Sequence, residues 1–289
     1  MDLREYRQRQ ARSFTANLRN GTNPLYWNWQ DPNQPMPDIG GEPRGASGFP
    51  YQGDNALQLQ MAAKAQGFQS PYWFNYDQAK AAGATVRQGE VGTKILDWIG
   101  GKDGKPYEQV IKTVFNADQI RGLNLPLNAG LSPEQQAIRQ EGLDALIAPR
   151  KKTPTPQQYN ARLAEVLAEQ FPDAQGEQEQ ADVVLRRELA MLTAQARLGL
   201  PREVDPSLVH TMKPFIERRP HWKNVDMAID DANKALNTIG IKPLVFDRVP
   251  RKEVQPDVAP AAEPRGKGKS KVKSQEKAQA QAKDQDIPF

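Results

Sequence analysis

A chain of 289 residues with no cysteine and two histidines has few ways to do bond-making chemistry. Disulfides, thiolate zinc sites and cysteine nucleophiles are excluded together, which fits a reducing compartment. Any imidazole-based metal or acid–base centre must use His210 or His221. These stand eleven residues apart, out of phase on a helix, with Pro214 and Pro220 between them, so a structural or surface role is expected for each. No phosphate-cradling G-x-x-x-x-G-K-[ST] loop occurs, nor a G-x-S-x-G nucleophile turn, nor an acidic cluster with polymerase-type metal spacing. Asp226, Asp230 and Asp231 read as a solvated helix face. The expectation is a protein that is not an enzyme and takes no metal or cofactor.

The chain has rings instead. Trp27, Trp29, Tyr51, Tyr72, Trp73, Tyr76 and Trp98 crowd into fewer than 75 residues of a protein that is 7% aromatic. Aromatic faces stack on unpaired bases, each worth about 1–3 kcal/mol. Asn55 and Gln78 are placed to bond base edges or sugar, and Arg87 and Lys94 to reach phosphate. Core filling competes for the rings. It is the stronger expectation for Trp73 and Trp98, on regular elements, and the weaker one for Tyr26, Trp27, Trp29 and Tyr51, in polar loops. Arg87-x-Gly89-Glu90 also reads as a hairpin turn with a solvated charge.

These residues need a frame. Residues 1–19 predict a basic amphipathic helix with Leu3, Tyr6, Phe14 and Leu18 among arginines. Residues 20–50 are rich in Gly, Pro and Asn and read as a loop. Asp54 is expected to cap a helix that Gly67 stops, and Asn75 a short helix that Gly83 stops. Segments 84–87, 93–99 and 107–115 read as strands, and Asn116 as the opening of one more helical turn. Beyond residue 130 the period is helical: Ser132-Pro133 with Gln135 and Thr155-Pro156 with Gln158 are capping boxes. Asp205-Pro206 opens a further helix. Apolar stripes run through Leu185, Leu189, Leu192 and Ala196, and through Val225, Ile229, Ala232, Leu236 and Ile239, closed by Gly199 and Gly240. The expected fold class is α+β: a small antiparallel sheet with helices over 20–125, an all-α helical domain over 130–246, and a disordered tail over 247–289.

Residues 49–98 resemble the N-terminal domain of the ArdC antirestriction family. That pattern is roughly Y-x-G-x-N, an apolar helix, S-P-x-W, Q-A, G-x-x-V-R-x-G-E-x-G and a strand ending in W. Here it runs through Tyr51, Gly53, Asn55, Ser70, Pro71, Trp73, Gln78, Ala79, Gly83, Val86, Arg87, Gly89, Glu90, Gly92 and Trp98. Gly21 to Trp29 is similar to the family's G-x-x-P-W-x-x-W opening, interrupted at Leu25-Tyr26. Residues 114–123 resemble its V-F-N-x-x-Q-I-x-G-L. The resemblance implies sequence-tolerant single-stranded-DNA binding and protection of incoming plasmid DNA from host restriction. It also implies a second, zincin-like half with H-E-x-x-H on a helix and a downstream glutamate as third ligand. Residues 159–171 stand where that helix is expected and hold no histidine, while Glu188 falls at the glutamate's place. Three converging ligands are needed, so a metal-free remnant is implied.

Basicity sits at the ends. Of the net charge of +4, residues 1–19 and 251–289 each carry a surplus of three, leaving the body near −2. DNA held by the body would therefore be held largely by stacking and hydrogen bonds. Hydrophobic content is 38% and mean hydropathy −0.75, with no apolar run long enough to span a membrane and no signal core at the start. A cytoplasmic protein is expected. The chain closes on Asp284, Asp286, Ile287, Pro288 and Phe289, which resembles the acidic tip of bacterial single-stranded-DNA-binding protein (SSB). Phe289 would enter an apolar pocket while its carboxylate met a basic rim. That implies host SSB-interacting replication and repair proteins as partners alongside single-stranded DNA. An adaptor that competes with host SSB for those partners and binds DNA weakly is the alternative.

Overall fold

Helix α1, Leu3–Arg19, starts where the Asp2 carboxylate accepts the Glu5 amide at 2.7 Å. The computed structural model describes residues 2–29, 42–100, 107–125 and 131–250. Far from being a basic appendage, α1 buries Tyr6, Phe14 and Leu18 and packs on two of the C-terminal helices. Its arginines at 4, 9, 12 and 19 stay in water. Helix α2, Gly53–Gln66, ends at Gly67 in the left-handed conformation, as expected, but its start differs. Gln52 is the cap residue and makes no side-chain cap bond. Asp54 lies inside the first turn, half-buried near the opposed charges of Arg7 and Asp226.

Two short sheets follow. The first orders its strands β1 (Arg44–Gly45), β2 (Tyr72–Phe74), β5 (Glu108–Asn116) and β4 (Thr93–Ile99). β1 runs parallel to β2 and the other pairs are antiparallel, so this sheet is mixed where an antiparallel one was expected. The second pairs β3 (Thr85–Val86) with β6 (Ile120–Arg121). Helix α3, Tyr76–Ala81, opens on an Asn75–Gln78 capping box, and the turn after Asn116 on an Asn116–Gln119 box. In each box two otherwise unpaired amides are bonded reciprocally.

Helices α4 (Pro133–Leu146) and α5 (Pro156–Gln170) begin on the expected Ser132 and Thr155 boxes. Helix α6, Glu177–Leu198, buries Leu185, Leu189 and Leu192 and packs on α9, Trp222–Ile239, which buries Val225, Ile229, Ala232 and Leu236. Between them lie α7 (Leu208–Thr211) and α8 (Lys213–Glu217). His221 caps α9, its Nδ1 accepting the Lys223 amide at 3.3 Å. Asp231 is not a solvated carboxylate: Arg186 holds it at 2.9 Å.

One buried cluster runs from Ala11 through Trp29, Trp73 and Ile95 to Leu189 and Ile241. Hydrophobic burial thus crosses the expected boundary near residue 130, because α1 and α2 pack on α9 on one side and on β5 and β4 on the other. A smaller cluster of Tyr72, Phe74, Ala79, Ala84, Ala117, Ile120 and Val249 seals the other sheet face at one end. Among the described residues no helix is long and apolar enough to cross a membrane. Of the tail expected to be disordered over 247–289, residues 251–289 lie outside the described residues, while Val249 is buried in the second cluster and its amide donates to the Ala46 carbonyl at 2.9 Å.

Candidate nucleic-acid interface

Several of the side chains expected at DNA are engaged in the interior. Trp29 is 6% exposed, donates from Nε1 to the Leu200 carbonyl at 2.8 Å, and pairs backbone to backbone with Arg202. A ring in a polar loop is here pinned by a partner more than 170 residues away, which no local pattern announces. Trp73 is 1% exposed and meets Phe68 edge-on, and Tyr72 is buried beside Phe74 with Arg44 above it. Neither presents a ring face to solvent. Trp27 and Tyr51 are half-buried against the main core, and burial pushes the Tyr51 hydroxyl up to about 12, with Asp97 adding to it.

The polar candidates divide in the same way. Asn55 donates Nδ2 to the Leu96 carbonyl at 2.7 Å and accepts the Leu96 amide at 2.9 Å. It takes the place of a neighbouring strand on the free edge of β4. Gln78 accepts the Asn75 amide at 2.9 Å as half of the capping box. Arg87, Lys94 and Tyr76 are exposed, and Arg87 is paired with Glu90 at 2.7 Å.

Trp98 reverses its expectation. It is 59% exposed, although it sits on a regular strand. The reason is topological: β2 meets β5 only at Phe115 and Asn116, whereas β4 pairs with β5 from Thr93–Val114 out to Ile99–Glu108. The β4–β5 ladder therefore projects past the rest of the sheet. Alternation turns Thr93, Ile95 and Val114 to the main core and Lys94, Leu96, Trp98, Gln109, Ile111 and Thr113 to the opposite face. The second cluster covers that face only as far as Phe115. Beyond it Lys94 and Thr113 are exposed, Leu96 and Ile111 half-exposed, and Trp98 and Tyr107 close the ladder at 59% and 69% exposure. An antiparallel strip of apolar and aromatic side chains edged by a lysine has the chemistry that base stacking requires.

The family model for the N-terminal domain of anti-restriction factor ArdC matches residues 4–120. Those residues are an ArdC-type domain. The likeness of fold continues past them: the Mn(II)-bound crystal structure of the antirestriction ArdC protein from the R388 plasmid superposes over 83% of this chain and 97% of that one. The TM-score is 0.58 at 23% identity. Its metal-free structure gives 0.57 at 24%. A DNA primase TraC of Escherichia coli is 34% identical over 144 residues, 41% of this chain and 13% of that protein. Protein y4eC of Sinorhizobium fredii is 32% identical over 110 residues, 33% of this chain and 36% of it. The chain thus spans well under half the length of each of those two relatives.

A metal of the kind bound by R388 ArdC does not fit the donors present here. Glu188, which the resemblance marks as a ligand, accepts from Arg202 Nη2 at 2.7 Å. Arg202 is 2% exposed and also donates to the Leu25 carbonyl at 2.8 Å and to Gln195 Oε1 at 2.9 Å. The buried stripe of α5 is Tyr159, Leu163 and Leu167, apolar where paired histidines would have to face inward. Among the described residues no three His, Cys, Asp or Glu side chains converge as a metal site. The positive charge beside Glu188 is a guanidinium.

Proposed function

We propose that this chain is a plasmid antirestriction protein that acts by binding single-stranded DNA, not by catalysis. The uncovered half of the first sheet carries the reading. It presents Leu96, Ile111, Trp98 and Tyr107 to solvent with Lys94 beside them, in a domain of the ArdC type. Restriction enzymes act on duplex, and a protein that holds entering DNA as single strands withholds their substrate. With a body near −2 in charge, attraction to phosphate alone would be weak, so stacking must supply much of the affinity.

Fluorescence anisotropy with labelled single- and double-stranded 20-mers at 50 and 200 mM salt tests this. The expected result is preference for single strands with a shallow salt dependence. Equal affinity for duplex, or no binding at low salt, overturns it. Recruitment of host SSB-interacting proteins through Asp284, Asp286, Ile287, Pro288 and Phe289 is the second part of the reading. It is supported by the likeness of those residues to the SSB tip. Removing 284–289 should abolish capture of such partners and leave DNA affinity unchanged.

A further inference from the structure

We propose that single-stranded DNA follows a path from a phosphate cleft at the base of the β4–β5 ladder to a stacking pair, Trp98 and Tyr107, at its far end, and that Glu90 occupies the cleft when DNA is absent. The inference rests on the single-strand reading above and adds the route, its residues and an internal competitor.

The cleft is lined by Thr85, Val86, Arg87, Gln88, Glu90 and Arg121. Thr85 and Arg121 are partners across the β3–β6 pair, while Val86 and Ile120 turn toward the second cluster. Arg87 and Arg121 are both exposed. Arg87 places Nε at 2.8 Å and Nη2 at 2.7 Å from one oxygen of Glu90, and Gln119 Nε2 holds the other oxygen at 3.0 Å. A guanidinium offers carboxylate and phosphate oxygens the same charge-assisted N–H bonds, so the Glu90 carboxylate stands where a phosphate oxygen would be received. No carboxylate among the described residues pairs with Arg121, so its charge is open to a second phosphate.

The cleft joins the open face directly. Gln119 Nε2 also holds the Val91 carbonyl at 3.0 Å, and β4 begins two residues later. From there Lys94 leads, at about 3.4 Å per strand residue, to Leu96 and then Trp98 roughly 14 Å beyond. That length suits two or three bases, the number that exposed sheet faces ordinarily stack. Among the described residues several cations of the helical part are already paired: Arg162 with Glu165, Lys213 with Glu217 and Lys242 with Glu141. Arg7 and Arg44 lie over the rings of Trp222 and Phe246.

The test titrates the full chain into fluorescein-labelled dT20 across a salt series, with each variant first checked for an unchanged melting temperature. Trp98→Ala and Tyr107→Ala are each expected to weaken binding at least about fivefold without changing the salt slope. Arg87→Ala and Arg121→Ala are expected to flatten the slope by about 0.7 each, the increment for one single-strand phosphate. Glu90→Gln is expected to tighten binding about three- to tenfold at low salt, because the competitor's charge is gone. If the wild type binds dT20 and the Trp98 and Tyr107 variants bind equally well, the path is wrong while the single-strand reading stands. If the wild type does not bind, that reading fails and takes the path with it. A Glu90→Gln variant that binds no tighter removes the competitor. A Trp98→Ala variant that only converts a dimer into a monomer in sedimentation reassigns the strip to self-association and overturns the proposal.

Discussion

Truncating Arg202 should unfold this protein more readily than almost any other single change. Its guanidinium is 2% exposed and answers three acceptors: Glu188 Oε2 at 2.7 Å, the Leu25 carbonyl at 2.8 Å and Gln195 Oε1 at 2.9 Å. Burial disfavours the charged arginine and Glu188 favours it, so the pair is mutually dependent. Arg202→Ala strands all three oxygens. A sealed acceptor without a donor costs about 1–3 kcal/mol, and removing one partner of a buried ion pair about 3–5 kcal/mol. Glu188 keeps 26% exposure and is partly rescued by water, so about 3–5 kcal/mol is expected for the whole change. Urea unfolding followed by tryptophan fluorescence reads this, since Trp29 is bonded to the Leu200 carbonyl and to the Arg202 backbone. At roughly 2–4 °C per kcal/mol, the melting temperature should fall by about 6–20 °C. Combining Arg202→Met with Glu188→Gln keeps volume and removes the charge, and should recover more than half of the loss. A loss under about 1 kcal/mol for Arg202→Ala would refute the reasoning. So would restoration of that variant by Mn(II), which would mean that the remaining donors can hold a metal.

Burial, then Asp226, pushes the Asp54 carboxyl up to about 7, with Arg7 opposing them. The unfolded chain ionises near 3.8, so from about pH 4 to pH 7 it binds fewer protons than the native state and stability falls as pH rises, levelling above pH 7. Asp54→Asn should flatten that decline, worth at most about 4 kcal/mol, and raise stability at pH 8; a wild-type minus variant difference that grows with pH would contradict it. Trp29→Ala should lose about 3–5 kcal/mol in urea unfolding and Trp98→Ala less than about 1, and the reverse order would exchange their assignments.

Legibility followed the range of the interaction. Capping boxes at Asn75, Ser132 and Thr155 were readable because both partners lie within four residues. The stripes of α6 and α9 were readable because a 3.6-residue period states which side is buried. Trp29 and Asn55 were not, since each is fixed by a partner far along the chain, and a loop tryptophan or an exposed-looking asparagine carries no mark of that partner. Trp98 misled in the opposite direction. Its strand was plain, but the extent of β2 pairing along β5 decides whether a strand residue is covered, and that is a property of the sheet. Arg202 left one faint trace, the absence of histidine from α5 beside a retained Glu188: a carboxylate kept in a buried place still needs a cation.

How the fold treats the edge and the face of β4 argues that the face is meant for a ligand. A bare edge strand would invite another chain to pair with it, and here each of three outward-facing residues has a backbone group answered by a side chain. The Lys94 carbonyl receives the Tyr6 hydroxyl at 2.6 Å, Leu96 is bonded both ways by Asn55, and the Trp98 amide turns to the Asp97 carboxylate at 2.8 Å. Side chains from α1 and α2 are spent on that closure. Among the described residues no comparable cover is given to the face, where leaving a large ring mostly in water forgoes about 1.5–3 kcal/mol of burial. Mispairing is thus blocked along the one direction in which β4 could add a strand, while stacking stays open along the other. A sheet that needed only to be stable would have covered Trp98 or replaced it with a polar residue.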